Sequence, residues 1–356
     1  MAPVIQKFNN ISSIEIKVCV TGQHREMLDQ VLELFKISPD FDLNLMKPNQ
    51  TLHGLTTSVI QGITNVIHEY KPNLVFVHGD TTTSFAAALA AFYTGVRVAH
   101  VEAGLRTGNM LSPWPEEANR KLTASLASYH FAPTESAKIN LLRENIPTEQ
   151  ICVTGNTVID ALLYINDKID RDSAIIEKMR KKFNYLSDSK RTLLVTSHRR
   201  ENIGDGLNNI CEALLHLSQK YRDCEIIFPV HLNPMVKSHV FSLLSNVENI
   251  HLIPPQDYLS FVYLMKQSEI ILTDSGGIQE EAPALGKPVI VMRDTTERSE
   301  AVEAGTVVLS GAKTKEIVGA TSNLLDDEQV YQTMAQSNNP FGNGTASNKI
   351  AAFFNL

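Results

Sequence analysis

The sequence predicts an α/β protein built from two doubly wound domains. Three observations carry that prediction. At 356 residues the chain exceeds what one hydrophobic core ordinarily holds. Short β-branched runs alternate with longer amphipathic stretches almost throughout, which is the rhythm of βαβ units and parallel sheets. Several of those runs close on clusters of polar residues and glycine, as expected where ligands meet the carboxyl edge of an open parallel sheet.

Taken in order, the first strand is expected over Glu15–Val20 and the first amphipathic helices over Glu26–Phe35 and Thr51–Tyr70. Strands follow at Asn73–Val77, Val96–Val101, Tyr129–Ala132 and Ile151–Val153. From about Asp167 to Lys190 the chain is charged and poor in strand signal, so a first domain is expected over 1–167. A fresh α/β run then begins, with strands at Thr192–Thr196, Glu225–Pro229, Ile250–Ile253, Ile270–Thr273, Pro288–Met292 and Gly305–Leu309. These make a second domain over 168–344. A last helix over 345–356 can pack back on the first domain.

Composition narrows the function classes. Hydrophobic residues at 43% and charged residues at 20% are ordinary for a soluble globular protein. A net charge of −7 argues against nucleic acid or an anionic membrane as partner. No run approaches the ~20 apolar residues that span a bilayer, and the first residues lack the apolar core of a signal peptide. The four cysteines are scattered without a Cys-x-x-Cys, which reads as reduced thiols in a cytoplasmic protein rather than a metal site.

The chemistry sits in the strand-end clusters. His78-Gly79-Asp80-Thr81-Thr82-Thr83 follows one strand and Glu102-Ala103-Gly104-Leu105-Arg106-Thr107 the next. Ser112-Pro113-Trp114-Pro115-Glu116-Glu117 comes shortly after. Asp80, Glu102 and Glu116 can therefore converge on one crevice and move protons, provided their pKa values are pushed apart. Trp114, between two prolines, reads as a packing anchor. In the second half, Asp274-Ser275-Gly276-Gly277-Ile278-Gln279-Glu280-Glu281 leaves a strand and opens a helix, a place where free N–H groups attract an anion. Ser275 can add a hydroxyl and Glu281 can accept from ribose; a plain strand–helix turn is the alternative. Ser197-His198-Arg199-Arg200 also sits past a strand, and a histidine beside two arginines suits a pyrophosphate. Gln23-His24-Arg25 reads either as a polar helix start or as a binding site. His231 ends another strand and reads either as a site residue or as a loop histidine that caps local backbone. No Gly-x-Gly-x-x-Gly follows a strand and there is no Walker motif. Asp80 with the later carboxylates can in principle hold Mg²⁺, yet the adjacent arginines make a metal less necessary.

These blocks, with Thr154-Gly155-Asn156-Thr157-Val158-Ile159-Asp160, resemble in content and order the bacterial non-hydrolysing UDP-N-acetylglucosamine 2-epimerases. The resemblance implies the glycosyltransferase-B architecture: two Rossmann-like domains facing across a cleft. It implies a cytoplasmic homodimer that needs no cofactor. It implies C2 epimerisation of UDP-N-acetylglucosamine to UDP-N-acetylmannosamine for surface polysaccharides, by loss and re-addition of UDP through a 2-acetamidoglucal-like intermediate. On this resemblance Asp80, Glu102 and Glu116 form the acid–base group and His198 lies near the diphosphate. Ser275, Gly276, Gly277 and Glu281 hold phosphate and ribose, with Arg120, Arg199 and Phe261 as further substrate contacts. Gln23, His24 and Arg25 match a site that in some members takes a second UDP-N-acetylglucosamine as activator. The family also carries an apolar strand and a Gly-Thr-Arg-Pro-Glu loop ahead of the position where this sequence starts. The first domain is accordingly expected to lack its N-terminal strand, leaving a gap between the strands near Val18 and Val75, while the second domain is normal. Open alternatives are an epimerase or hydrolysing epimerase for another UDP-2-acetamido sugar, and an inactive UDP-sugar-binding variant.

Overall fold

A computed structural model describes every residue except 23–24, 47–49, 188 and 198–203. By its internal contacts the chain divides into two units, Met1–Ala161 with Phe341–Leu356, and Leu162–Pro340. Each is a parallel α/β layer structure.

In the first unit the strands are β1 (Cys19–Val20), β2 (Phe41–Asp42), β3 (Leu74–His78), β4 (Arg97–Val101), β5 (Tyr129–Ala132) and β6 (Ile151–Val153). β3 to β6 form a four-stranded parallel sheet in chain order, with Leu74 opposite Arg97 and His100 opposite His130. Period-two alternation splits its side chains between two apolar layers. Val77 and Val98 pack against Leu55, Val59, Ile63 and Ala87 of the helices Leu52–Tyr70 and Thr82–Tyr93. Phe76, Ala99, Val101 and Phe131 face the other layer, made by Val4 and Phe8 of the helix Ala2–Asn9 and by Ile350 and Ala351 of the helix Ala346–Phe353. Asp160 caps that last helix, accepting from the amides of Ala346 (3.1 Å) and Ser347 (2.8 Å).

β1 and β2 stand apart as a separate parallel pair. Where the sequence predicts a strand over Glu15–Val20, only its last two residues qualify. A ladder forms only with β2, which is itself two residues long, so Glu15–Val18 has little to pair with. Between β1 and β3 lies a cavity of about 1000 Å³. This is the gap expected near Val18 and Val75.

The second unit holds β7 (Arg191–Thr196), β8 (Cys224–Pro229), β9 (Ile250–Ile253), β10 (Ile270–Thr273), β11 (Val289–Val291) and β12 (Val307–Leu309). Their order is β12-β11-β10-β7-β8-β9, all parallel. Leu193, Leu194, Ile226, Phe228, Ile271 and Ile290 are fully buried, as expected for strands covered on both faces. The chain order reverses between β7 and β10, which makes their carboxyl ends the expected ligand crevice. Among the described residues no helix is long and apolar enough to cross a membrane.

Candidate active site

The carboxyl edge of the first unit is built from strand ends and one helix. β3 delivers His78; Gly79 then turns the chain with φ +66°, and Asp80 follows. Thr81 caps the next helix by accepting from the Ser84 amide at 3.2 Å, which fixes the turn from its far side. Asp80 is held by Arg120, whose Nε (3.0 Å) and Nη2 (2.7 Å) both donate to Oδ2. Asn119 donates to the Asp80 carbonyl at 2.9 Å. Both anchors come from the helix Glu116–Leu126.

That helix is itself pinned by Glu117, which is fully buried. Glu117 accepts from Arg120 Nη1 (3.1 Å) and from the amides of Thr107 and Gly108 (3.1 Å each). A buried carboxylate survives only when paired in this way. One residue thus joins the loop after β4 to the arginine that holds Asp80. Glu116, half-buried, opens the helix one turn before Arg120 and on the same face.

Glu102 leaves β4 with φ +63°, a left-handed conformation that strains a residue bearing a Cβ. The bend brings Glu102 Oε2 to 3.3 Å from His78 Nε2. His100 donates from Nε2 to the Gly79 carbonyl at 2.8 Å, so β4 also braces the turn that carries Asp80. Burial drives the His100 pKa down to about 4, and it stays a neutral donor. Desolvation, then the charged amino terminus of Met1 and the neighbouring His100, hold His78 well below its ordinary value too. The edge therefore presents two carboxyl side chains, from adjacent strand ends, beside neutral imidazoles.

The second unit offers a different surface at the ends of β7 and β10. Ser197 Oγ donates to buried Asp274 Oδ2 at 3.0 Å, and the Thr196 and Thr273 hydroxyls lie 2.6 Å apart. Ser275 is the N-cap of the helix Gly276–Ala284, and its side chain makes no capping bond, so the opening N–H groups face outward. A Cβ at Gly276 would lie 2.9 Å from Glu297 Oε1, whereas at Gly277 it would meet open space. A side chain at 276 would have to displace the Glu297 carboxylate, while at 277 the open side suits close approach of a ligand. Despite burial, which raises it, Arg298 and Arg293 hold the Glu297 carboxyl down to about 2. Arg298 also grips Glu280 at 2.8 Å, which braces the helix. Glu281 accepts from Tyr258 Oη at 2.6 Å, and its burial pushes its pKa up to about 7. Phe261 is half-buried three residues after Tyr258, one helical turn along.

Residues 6–355 match the family model described as UDP-N-acetylglucosamine 2-epimerase. The chain belongs to the UDP-N-acetylglucosamine 2-epimerase family. It is 55% identical to the UDP-N-acetylglucosamine 2-epimerase of Neisseria meningitidis over 98% of this chain and 94% of that relative. It is 53% identical to the Escherichia coli K12 enzyme of the same name, over 98% and 93%. A crystal structure of the Neisseria meningitidis enzyme bound to UDP-GlcNAc superposes with a TM-score of 0.93 at 54% identity, covering 99% of this chain and 95% of that one. A Methanocaldococcus jannaschii epimerase in complex with UDP-GlcNAc and UDP gives 0.82 at 36%, covering 99% and 95%.

Within this epimerase family member the structure joins Asp80 to Arg120 and Glu102 to His78, and it sets Glu116 one turn from Arg120. It groups Ser275, Gly276 and Gly277 at one helix start, with Glu281 further along that helix. His198, Arg199, Gln23 and His24 lie outside the described residues. Arg25 is committed to Asp42, with two bonds of 2.7 Å, and to Asn44 at 3.1 Å. Trp114 is 63% exposed and is not the packing anchor expected from its prolines. The loop that carries it projects apolar side chains outward, Leu111 among them at 78% exposure. His231 caps local backbone, accepting from the Asn233 amide at 3.1 Å. Sequence reasoning passed over Glu117 and Tyr258. Glu117 stands three residues before Arg120 on one helical face, a spacing that could have flagged it. Tyr258 is far from Glu281 in sequence and left no local signal.

Proposed function

We propose that this chain interconverts UDP-N-acetylglucosamine and UDP-N-acetylmannosamine at C2. The observation that carries the reading is the pair of carboxyl groups, Asp80 and Glu102, at the ends of adjacent parallel strands in a chain that matches an epimerase family over nearly its whole length. The C2 proton has no neighbouring carbonyl and is hardly acidic. Breaking the C1–O bond first gives C1 cationic character, and the C2–H bond then weakens. One carboxylate removes that proton as UDP departs, which leaves a 2-acetamidoglucal. A second group protonates C2 from the opposite face, and UDP returns to C1. The sequence involves no net oxidation, so it needs no redox cofactor.

In this reading Asp80, Glu102 and Glu116 share proton transfer and stabilise charge at C1, and Arg120 orients Asp80. The helix start at Ser275–Gly277 takes the diphosphate with His198 and Arg199. Glu281 accepts from ribose hydroxyls, and Phe261 packs on the nucleotide. We further propose a cytoplasmic homodimer in which Gln23, His24 and Arg25 hold a second UDP-N-acetylglucosamine. The deciding experiment is incubation with UDP-N-acetylglucosamine in D₂O without added NAD. Deuterium should enter C2 of both sugars. Product that carries no C2 label would remove the deprotonation route, and free N-acetylmannosamine in place of the nucleotide sugar would point to a hydrolysing enzyme.

A further inference from the structure

The second unit holds an acid gripped by one oxygen. Glu281 lies in the second turn of the helix Gly276–Ala284 and is 8% exposed. Tyr258 donates its hydroxyl to Glu281 Oε1 at 2.6 Å. Among the described residues no hydrogen bond reaches Oε2. Burial raises the Tyr258 pKa, and the Glu281 carboxyl raises it further. The hydroxyl therefore keeps its proton and is a permanent donor.

Tyr258 arrives there from a fixed helix start. It is the first residue of the helix Tyr258–Gln267, which Asp257 caps by accepting from the Ser260 amide at 2.8 Å. Lys182 locks the cap, donating to Ser260 Oγ at 2.7 Å and to Asp257 Oδ2 at 3.3 Å. Phe261 follows Tyr258 by one turn on the same face. One helix thus supplies both an aromatic ring and the hydroxyl that holds the acid. A nucleoside, with its flat base and its pair of adjacent hydroxyls, asks for that combination.

We propose that Tyr258 is the positioning residue for ribose recognition: by gripping Oε1 it aims Oε2 of Glu281 at the ribose hydroxyls, and selectivity for a ribonucleotide depends on it. This rests on the reading of the Ser275–Glu281 segment as the nucleotide site. Tyr258 acts through Glu281. An ionised carboxyl accepts from both hydroxyls, whereas a protonated one spends an oxygen on its own proton. Burial lifts the Glu281 pKa to about 7, the Tyr258 bond pulls against that, and Glu280 adds a smaller push upward. Glu280 is itself held by Arg298 at 2.8 Å. The other carboxylates lie toward the helix start and are bonded there, Asp274 to Ser197 at 3.0 Å and Glu297 to Arg293 at 2.8 Å. Ribose selectivity should therefore climb as pH rises through 7.

The test is calorimetric binding of UDP and of 2′,3′-dideoxy-UDP between about pH 6 and 8, because their affinity ratio separates the ribose hydroxyls from the diphosphate. In the unaltered chain UDP should bind about tenfold or more tightly than the dideoxy ligand at the alkaline end, and the ratio should fall as pH drops through 7. Tyr258→Phe should cut the ratio at neutral pH by about fivefold and move its climb to higher pH, with dideoxy-UDP affinity kept within about twofold. Glu281→Gln should leave the ratio low and flat with pH. A ratio that ignores pH in the unaltered chain would overturn the proposal without any variant. Equal weakening of both ligands by Tyr258→Phe would make Tyr258 merely structural, and a climbing ratio in Glu281→Gln would place the titrating group elsewhere. Each of these three results overturns the proposal and leaves the nucleotide reading standing. Failure of the unaltered chain to bind either ligand would remove both.

Discussion

Asp80 and Glu102 carry the burden of the proposed chemistry at the residue scale. Each is set by the protein around it: Arg120 and Asn119 for Asp80, and a strained backbone for Glu102. Asp80→Asn and Glu102→Gln should each lower turnover by roughly 10²–10⁴ while UDP affinity changes little, because proton transfer is lost and ground-state contacts are kept. Steady-state rates beside calorimetric UDP binding would check this; near-normal turnover in Asp80→Asn would reduce Asp80 to a strand-end residue. Glu117 belongs to a different category. It is sealed from solvent and holds Arg120 and two loop amides. Glu117→Gln leaves the guanidinium short of a charge partner in the interior and should destabilise the fold by roughly 3 kcal/mol. Urea unfolding measures that loss, and a change below about 0.5 kcal/mol would show that the pair is dispensable.

At the scale of elements, β4 and β5 place His100 and His130 opposite one another inside the first sheet. Burial sets both near 4 in the folded protein, against about 6.5 in an unfolded chain. Between those values the unfolded chain binds protons that the native chain refuses. Stability is therefore complete above about pH 6.5, falls as pH drops toward 4, and levels below that. The loss is on the order of 3 kcal/mol for each histidine. Urea midpoints between pH 7 and 4 should show the slope, and His130→Phe should flatten it; an equally steep slope in the variant would assign the loss to other groups.

The same elements show what a sequence can and cannot convey. β3 to β12 were legible because runs such as Leu74-Val75-Phe76-Val77 and Ile270-Ile271-Leu272 have no other stable home than a covered parallel strand. β2 was not, since Phe41–Asp42 has no run around it and exists only as a ladder to β1. The strand-end clusters pointed to Asp80, Glu102 and Ser275 as candidates, and the structure has each of them just past a strand. Glu117 stayed hidden because a glutamate in the first turn of a helix ordinarily reads as solvated and dipole-stabilised. Its burial depends on a loop folding over it, which no spacing encodes. Tyr258 and Glu281 meet only through tertiary packing.

For the whole molecule, two units with separate apolar layers should respond separately to ligand. UDP recognised mainly at the Ser275–Gly277 helix start should stabilise the second unit by about 2.7 kcal/mol when free UDP is a hundredfold above its Kd. Differential scanning calorimetry should show one transition that moves and one that does not; a single transition shifting as a whole would mean that the units unfold together. The division of the chain has a further consequence during synthesis. The second unit is continuous, so it can finish folding as soon as its last strand and helix leave the ribosome. The first is interrupted: Ile350 and Ala351, which complete one face of its sheet, follow the entire second unit in sequence. At about 5–20 residues per second, the face beneath Phe76 and Phe131 waits ~10–40 s for its cover. The half that is translated first is the half that matures last, and the nascent first unit is where a chaperone would find exposed aromatic surface to hold.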